Sequence, residues 1–220
     1  MAKIRQRTEK DQQDLVLLEK VATKDKKAFE ALYARYYTQL IRYLTRMLRR
    51  PELAEEVLND TMFVVWEKAG KFEGRSKVST WVTGIAYLKA LKALEKIRTS
   101  PGQQFEDLSE IDDIEAHEDL IQKLGLGEWL NGGLERISED QRSVVELTYF
   151  FGYSYIEIAE IMNCPVNTVK TRMFHARRRL KKLLPRLAEQ TSGGLLNQED
   201  WTEEKDAHEK GENENLPESE

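Results

Sequence analysis

The sequence predicts an all-α fold of two small helical domains joined by an acidic linker. Three observations carry that prediction. Apolar residues recur at helical spacing through residues 12–98 and again from about 129 to 180. Between these blocks, residues 103–121 hold eight Asp or Glu and no Lys or Arg. Finally, residues 153–183 read as two helices joined by a tight turn.

The elements follow in order. Residues 1–24 form an N-terminal segment, polar as far as Asp14 and without the apolar run of a secretory signal. A first domain is expected over 25–98. Its opening stripe is Phe29, Leu32, Tyr33, Tyr36, Leu40, Tyr43, Leu44 and Leu48. Pro51 interrupts the stripe and suits the first turn of a second helix, through Leu53, Val57, Met62, Val65 and Trp66. Gly70 and Gly74 bracket a loop. Ser79 or Thr80 then caps a helix whose apolar face is Trp81, Ile85, Leu88 and Leu91.

Ser100-Pro101-Gly102 breaks the pattern and opens a linker, 99–128, too acidic to bury itself. The second domain spans 129–187. Gly132-Gly133 interrupts its start, and Ser138 with Gln141 offers a capping pair for the next helix. Beyond it, 188–220 reads as a disordered tail with eleven acidic and two basic residues. That tail is either solubilising, the reading we favour, or a competitor for the basic helix beside it.

The net charge of −5 conceals this division. Without the tail the chain is +4, and residues 165–187 hold eight Lys or Arg and no acid. No apolar run approaches the roughly 18 residues of a membrane helix. Cys164 is the single cysteine, so no internal disulfide forms. A cytoplasmic protein is expected. The three histidines, His117, His175 and His208, are scattered. No metal-ligand spacing, phosphate-cradling glycine loop or nucleophile–base set is visible, so neither an enzyme nor a cofactor is expected.

The most specific stretch begins at Gly152. Ser154 and Glu157 form a capping box, and Ile156, Ile158, Ala159 and Ile161 supply a buried side. Met162-Asn163-Cys164 makes the turn, and Pro165 opens the next helix. Val166, Val169 and Met173 face inward. Asn167, Thr168, Lys170, Thr171, Phe174, His175, Arg177 and Arg178 are then candidates for the outward face. Amide, hydroxyl and amine groups at an exposed helix start suit base edges in a major groove, and the following cations suit phosphates. A basic solvated helix is the plainer reading. Capping, turn and one-sided charge together favour duplex DNA.

Both blocks resemble bacterial RNA polymerase sigma factors of the sigma-70 family, specifically the extracytoplasmic-function (ECF) subfamily. The first match is Ala28-Phe-Glu-Ala-Leu-Tyr33, Ala54-Glu-Glu-Val-Leu-Asn-Asp-Thr-Met-Phe63, Trp66, Phe72-Glu-Gly74 and Ser79-Thr-Trp-Val-Thr-Gly-Ile-Ala86. The second is Ile137-Ser-Glu-Asp-Gln-Arg142 with the helix-turn-helix. The resemblance implies a sigma region-2 domain that binds core RNA polymerase and melts the −10 element. It implies a sigma region-4 domain that reads the −35 element of promoter DNA. It places polymerase binding on Glu55, Glu56, Asn59, Asp60 and Phe63, and −10 contacts on Ser76, Lys77, Lys89, Lys92 and Lys96. An anti-sigma factor is an implied partner, and a stress or envelope response an implied setting. Leu88 stands where many members carry asparagine, Asn59 where glutamine is common, and His175 where several carry arginine.

The rival is an autonomous helix-turn-helix regulator. Such a protein has no need of the acidic edge at 55–63 or of the loop and lysine helix at 72–96.

Overall fold

The computed structural model describes residues 8–99 and 127–192. The described residues form α-helices and one 3-10 turn, with no strand among them. In chain order the helices are α1 (Glu9–Ala22), α2 (Lys26–Leu48), α3 (Pro51–Lys68), α4 (Val78–Thr99), α5 (Gly127–Glu135), α6 (Glu139–Tyr149), α7 (Tyr155–Ile161) and α8 (Val166–Ser192). Of the expected linker, 99–128, and disordered tail, 188–220, residues 100–126 and 193–220 lie outside the described set, whereas 99, 127–128 and 188–192 are helical because α4, α5 and α8 run past the expected boundaries.

Helices α1–α4 form the first bundle. Thr8 and Asp11 make a reciprocal capping box at the start of α1. Leu18 and Val21 are buried, so α1 belongs to the bundle although the sequence set residues 1–24 apart. Asp14 fixes α1 to α2, accepting from the Tyr36 hydroxyl at 2.5 Å and pairing with Arg35 at 2.7 Å. Leu32, Tyr36, Leu40, Tyr43, Leu44 and Leu48 of the α2 stripe are buried as expected, Phe29 and Tyr33 are half-buried, and the helix ends at Arg49 in the left-handed region. Pro51 opens α3, where its missing N–H costs nothing.

Helix α4 departs from expectation twice. It starts at Val78, so Ser79 and Thr80 lie inside its first turn and cap nothing. Its buried residues are Val78, Thr80, Val82, Thr83, Ala86, Tyr87, Ala90 and Leu94, whereas Leu88 is 54% exposed. The physical reason is that α4 is covered on two sides, by the first bundle and by α7. A one-stripe reading cannot see two contacts.

In the second bundle α5 runs straight through Gly132-Gly133. A Cβ on Gly133 would lie 2.6 Å from Leu184 Cδ2 and 3.3 Å from Leu180 Cδ2, so the glycine lets α8 approach α5 closely. Ser138 caps α6 by accepting from Gln141 N–H. Ser154 and Glu157 form the expected capping box of α7. Ile158, Ala159 and Ile161 are buried, but Ile156 is 49% exposed because it lies on the solvent side of that short helix. Asn163 takes a left-handed turn, and the Pro165 carbonyl accepts the first N–H bonds of α8.

Candidate nucleic-acid and protein interfaces

Helix α8 is split lengthwise. Val169, Met173, Ala176 and Leu180 recur at helical spacing and are buried against α5, α6 and α7. Asn167, Lys170, Thr171, Phe174, His175, Arg177 and Arg178 are exposed, and Thr168 is half-buried. The structure thus gathers the sequence-predicted residues along one side of one helix. Phe174 is 61% exposed, with the His175 ring set edge-on at 5.5 Å. An open groove of about 360 Å³ runs between this face and the start of α6, lined by Ser138, Gln141, Asn167, Thr171, Arg172 and His175 among others.

Two arginines of α8 are held by the protein itself. Arg172 turns inward, 2.5 Å from Asp140 and 3.6 Å from Cys164 Sγ. Arg177 donates to the Tyr149 hydroxyl at 2.6 Å and lies over that ring. It remains on the surface but at the edge of the face, tied to α6.

On the first bundle, Glu55, Glu56, Asn59, Asp60 and Phe63 are all exposed along α3, with Phe63 at 59%. Sequence reasoning missed their neighbours on α2. Tyr33 donates to Asn59 Oδ1 at 2.8 Å and stacks on Tyr37 at 5.9 Å. Burial, helped by Tyr37 and Glu55, pushes the Tyr33 phenol above its usual range, keeping it a donor. Tyr37 sits one position off the apolar stripe, which was the available signal of its exposure.

The −10 candidates are divided. Ser76 is half-buried, and Lys92 and Lys96 are exposed along α4. Lys89 pairs with Asp60 at 2.9 Å. Lys77 reaches Glu157 at 3.0 Å and Asp11 at 3.8 Å, so it is engaged by the second bundle. Trp81 is half-buried and leans on Phe72 at 5.2 Å. Tyr87 is buried, and burial together with Asp140 pushes its phenol up to about 12.

The two bundles meet directly. A Cβ on Gly84 of α4 would sit 3.6 Å from the Ile161 Cα of α7, so the helix backbones nearly touch. Beside them Tyr153 projects its hydroxyl between Thr83 at 2.8 Å and Gln39 at 3.1 Å. Gly152, at φ 67°, supplies the left-handed turn that aims it. Arg142 donates to the Met47 carbonyl at the end of α2, 3.3 Å away, and Arg98 pairs with Glu139. Tyr43 meets Phe151 edge-on at 5.6 Å, and Arg46 covers Phe150 at 4.3 Å. Burial raises the Glu146 carboxyl against the opposing pull of Arg142, Arg46 and Arg49.

Among the described residues no three or more His, Cys, Asp or Glu group as metal ligands would, and no helix is long and apolar enough to cross a membrane.

Residues 32–100 match the family described as sigma-70 region 2, and residues 128–180 match sigma-70 region 4. The chain is 29% identical over 182 residues to the RNA polymerase sigma-H factor of Pseudomonas aeruginosa, covering 79% of this chain and 94% of that protein. It is 30% identical over 173 residues to the ECF RNA polymerase sigma-E factor of Haemophilus influenzae, covering 74% and 91%. Among solved structures, the sigma factor RpoE in complex with the anti-sigma factor NepR from Bartonella quintana aligns with TM-score 0.57 at 26% identity, over 72% of this chain and 98% of that one. CnrH in complex with the cytosolic domain of CnrY shares the fold, with TM-score 0.60 at 21% identity over 79% and 98%. The chain belongs to the extracytoplasmic-function subfamily of the sigma-70 family of RNA polymerase sigma factors.

Proposed function

We propose a division of labour among three faces of this sigma factor. Helix α8 reads the −35 element through Asn167, Thr168, Lys170, Thr171, Phe174, His175 and Arg178, with Arg177 at the margin. The outward side of α4 and the loop before it, with Ser76, Lys77, Lys89, Lys92 and Lys96, follow the melted −10 element. The acidic edge of α3, Glu55, Glu56, Asn59, Asp60 and Phe63, docks on core RNA polymerase. The observation that carries this reading is α8 itself, an exposed polar and cationic face on a buried apolar spine.

The packed form of the two bundles is a resting form. The −10 and −35 elements lie about 25 base pairs apart, which at roughly 3.4 Å per pair is about 85 Å. Helices α4 and α7 are in contact, so both elements cannot be engaged until the bundles separate. Lys77 is released from Glu157 in the same step. Polymerase docking supplies the free energy for it. An anti-sigma factor that held the bundles together would keep the protein silent. Transcription places this work in the cytoplasm, in a stress or envelope response.

The test is transcription by core polymerase plus this chain from a randomised promoter library. Initiation with enriched −35 and −10 sequences is expected. Tight duplex binding without polymerase, and no initiation with it, would instead identify an autonomous regulator.

A further inference from the structure

Arg142 and Glu146 stand four residues apart on α6 and so share one of its faces. That face is turned to the end of α2, where Arg142 donates to the Met47 carbonyl. Glu146 is 3% exposed, and Arg142 Nε lies 4.0 Å from its Oε1, beyond hydrogen-bond reach. The groups of α2 that face it are Tyr43, Arg46 and Arg49. None of the three arginines depends on this carboxyl. Arg142 has the Met47 carbonyl, Arg46 covers Phe150, and Arg49 pairs with Glu135 of α5 at 3.5 Å. From α7 and α8, apolar Ile158, Val169 and Met173 pack toward α6. Arg172 and Arg177 of α8 are taken up by Asp140 and Tyr149. A carboxyl group is thus closed into the junction between the bundles, with cations around it that have other partners.

We propose that Glu146 makes this junction a proton-operated latch: its carboxyl takes a proton from solvent as the bundles close and returns it as they part, so that a rise in pH releases the packed form. The inference rests on the reading of the packed form as a resting form. Closing strips water from the carboxyl, which disfavours its charged state. Separation takes α2 away and restores the water. Burial outweighs the pull of Arg142, Arg46 and Arg49, so the packed form holds the proton at pH values where the open form has lost it. A carboxyl raised by packing favours the packed form fully below its ordinary value of 4.5, and that preference is lost as pH rises through the packed value. Other groups of the junction titrate elsewhere. Glu157, held low by Ser154 and Lys77 in spite of its burial, acts below 4.5. The phenols of Tyr43 and Tyr153, raised by burial, act above 10. Between those limits the change at the junction falls to Glu146.

The experiment uses the full chain with fluorescence-transfer dyes on α3 and α8, scanned from about pH 5.5 to 8.5, and its affinity for core polymerase over the same range. Wild-type transfer should fall as pH rises. Affinity for core polymerase should rise with it, by up to about tenfold per pH unit for one linked proton. Glu146→Gln, neutral at every pH, should keep high transfer throughout and bind polymerase progressively more weakly than wild type as pH rises. Arg49→Asn keeps the carboxyl, removes one opposing cation and suits the left-handed backbone at that position. It should extend the fall in transfer to higher pH, and it carries the test if Glu146→Gln does not fold. Wild type without pH dependence in either readout overturns the inference, as does a Glu146→Gln protein that follows the wild-type curve. High transfer at every pH that core polymerase then lowers leaves the resting-form reading standing and sinks only the latch. Low transfer at every pH sinks the packed form itself, and the latch with it.

Discussion

The phenol oxygen of Tyr153 lies 2.8 Å from the hydroxyl of Thr83, a residue of the other bundle and 70 positions earlier. Gln39 donates to the same oxygen at 3.1 Å, and the Ser79 carbonyl is 3.4 Å away. One side chain of the second bundle thus satisfies three polar groups of the first. Burial raises its pKa, so it stays protonated and able to donate. The apolar contacts around it hold the bundles together without specifying their register. The directional bonds of Tyr153 do specify it.

Tyr153→Phe should therefore loosen the packed form. It removes the shared partner and leaves Thr83 and Gln39 with unmet hydrogen-bonding capacity, a cost of about 1–3 kcal/mol. The melting temperature should fall, and the radius of gyration by small-angle X-ray scattering should rise. An unchanged scattering curve would show that the apolar contacts suffice.

Gly84 tests the same junction sterically. A Cβ there meets the Ile161 backbone at 3.6 and 3.7 Å, ordinary contact distances, so Gly84→Ala should fit. Gly84→Leu has no room for its branches and should force α4 and α7 apart while α4 stays helical. Interdomain fluorescence transfer, with dyes on α3 and α8, should drop for Leu and not for Ala. Equal transfer in both variants would mean the junction tolerates bulk.

How much of this was legible in the sequence depends on how local the cause is. The Ser154–Glu157 box, Pro165 and the Val169–Met173 spine were readable because capping and periodicity act within a few residues. The α3 edge was readable for the same reason. Leu88 was misread because a second bundle, distant in sequence, decides which sides of α4 are covered, and Ile156 because it lies on the solvent side of its own short helix. The role of Gly133 was hidden likewise, since the Leu184 it accommodates lies about fifty residues on. The engagement of Lys77 by Glu157 could not be read from either segment alone.

That ion pair gives the junction a pH dependence. Burial alone would raise the Glu157 carboxyl, but hydrogen bonds from Ser154 and Lys77 outweigh it and hold the group below its usual 4.5. A carboxylate depressed by folding stabilises fully above its unfolded pKa and loses that contribution as pH falls through the folded value. Glu157→Gln should thus lose stability relative to wild type at neutral pH, with the difference shrinking below about pH 4. Glu146, raised by burial, has the opposite sign. For that reason the readout is the difference in melting temperature between variant and wild type across pH. A difference constant from pH 3 to 7 would show that ionisation of Glu157 contributes nothing to stability.

The arginines of α8 separate DNA contact from architecture. Arg178 is exposed, and α8 is where phosphates are proposed to lie. Arg178→Ala should weaken holoenzyme binding to the −35 element and lower the salt slope of log K by about 0.9, one phosphate contact. Arg172 is half-buried and tied to Asp140 at 2.5 Å, fixing α8 against α6. Arg172→Ala should leave the salt slope alone and lower the melting temperature instead. Arg177 lies between the two, since its bond to the Tyr149 hydroxyl competes with any phosphate. Tyr149→Phe frees that guanidinium without removing a charge, so it should keep or steepen the salt slope, whereas Arg177→Ala should reduce it. If Tyr149→Phe weakens binding as much as Arg177→Ala does, the tyrosine is positioning the arginine for DNA rather than withholding it.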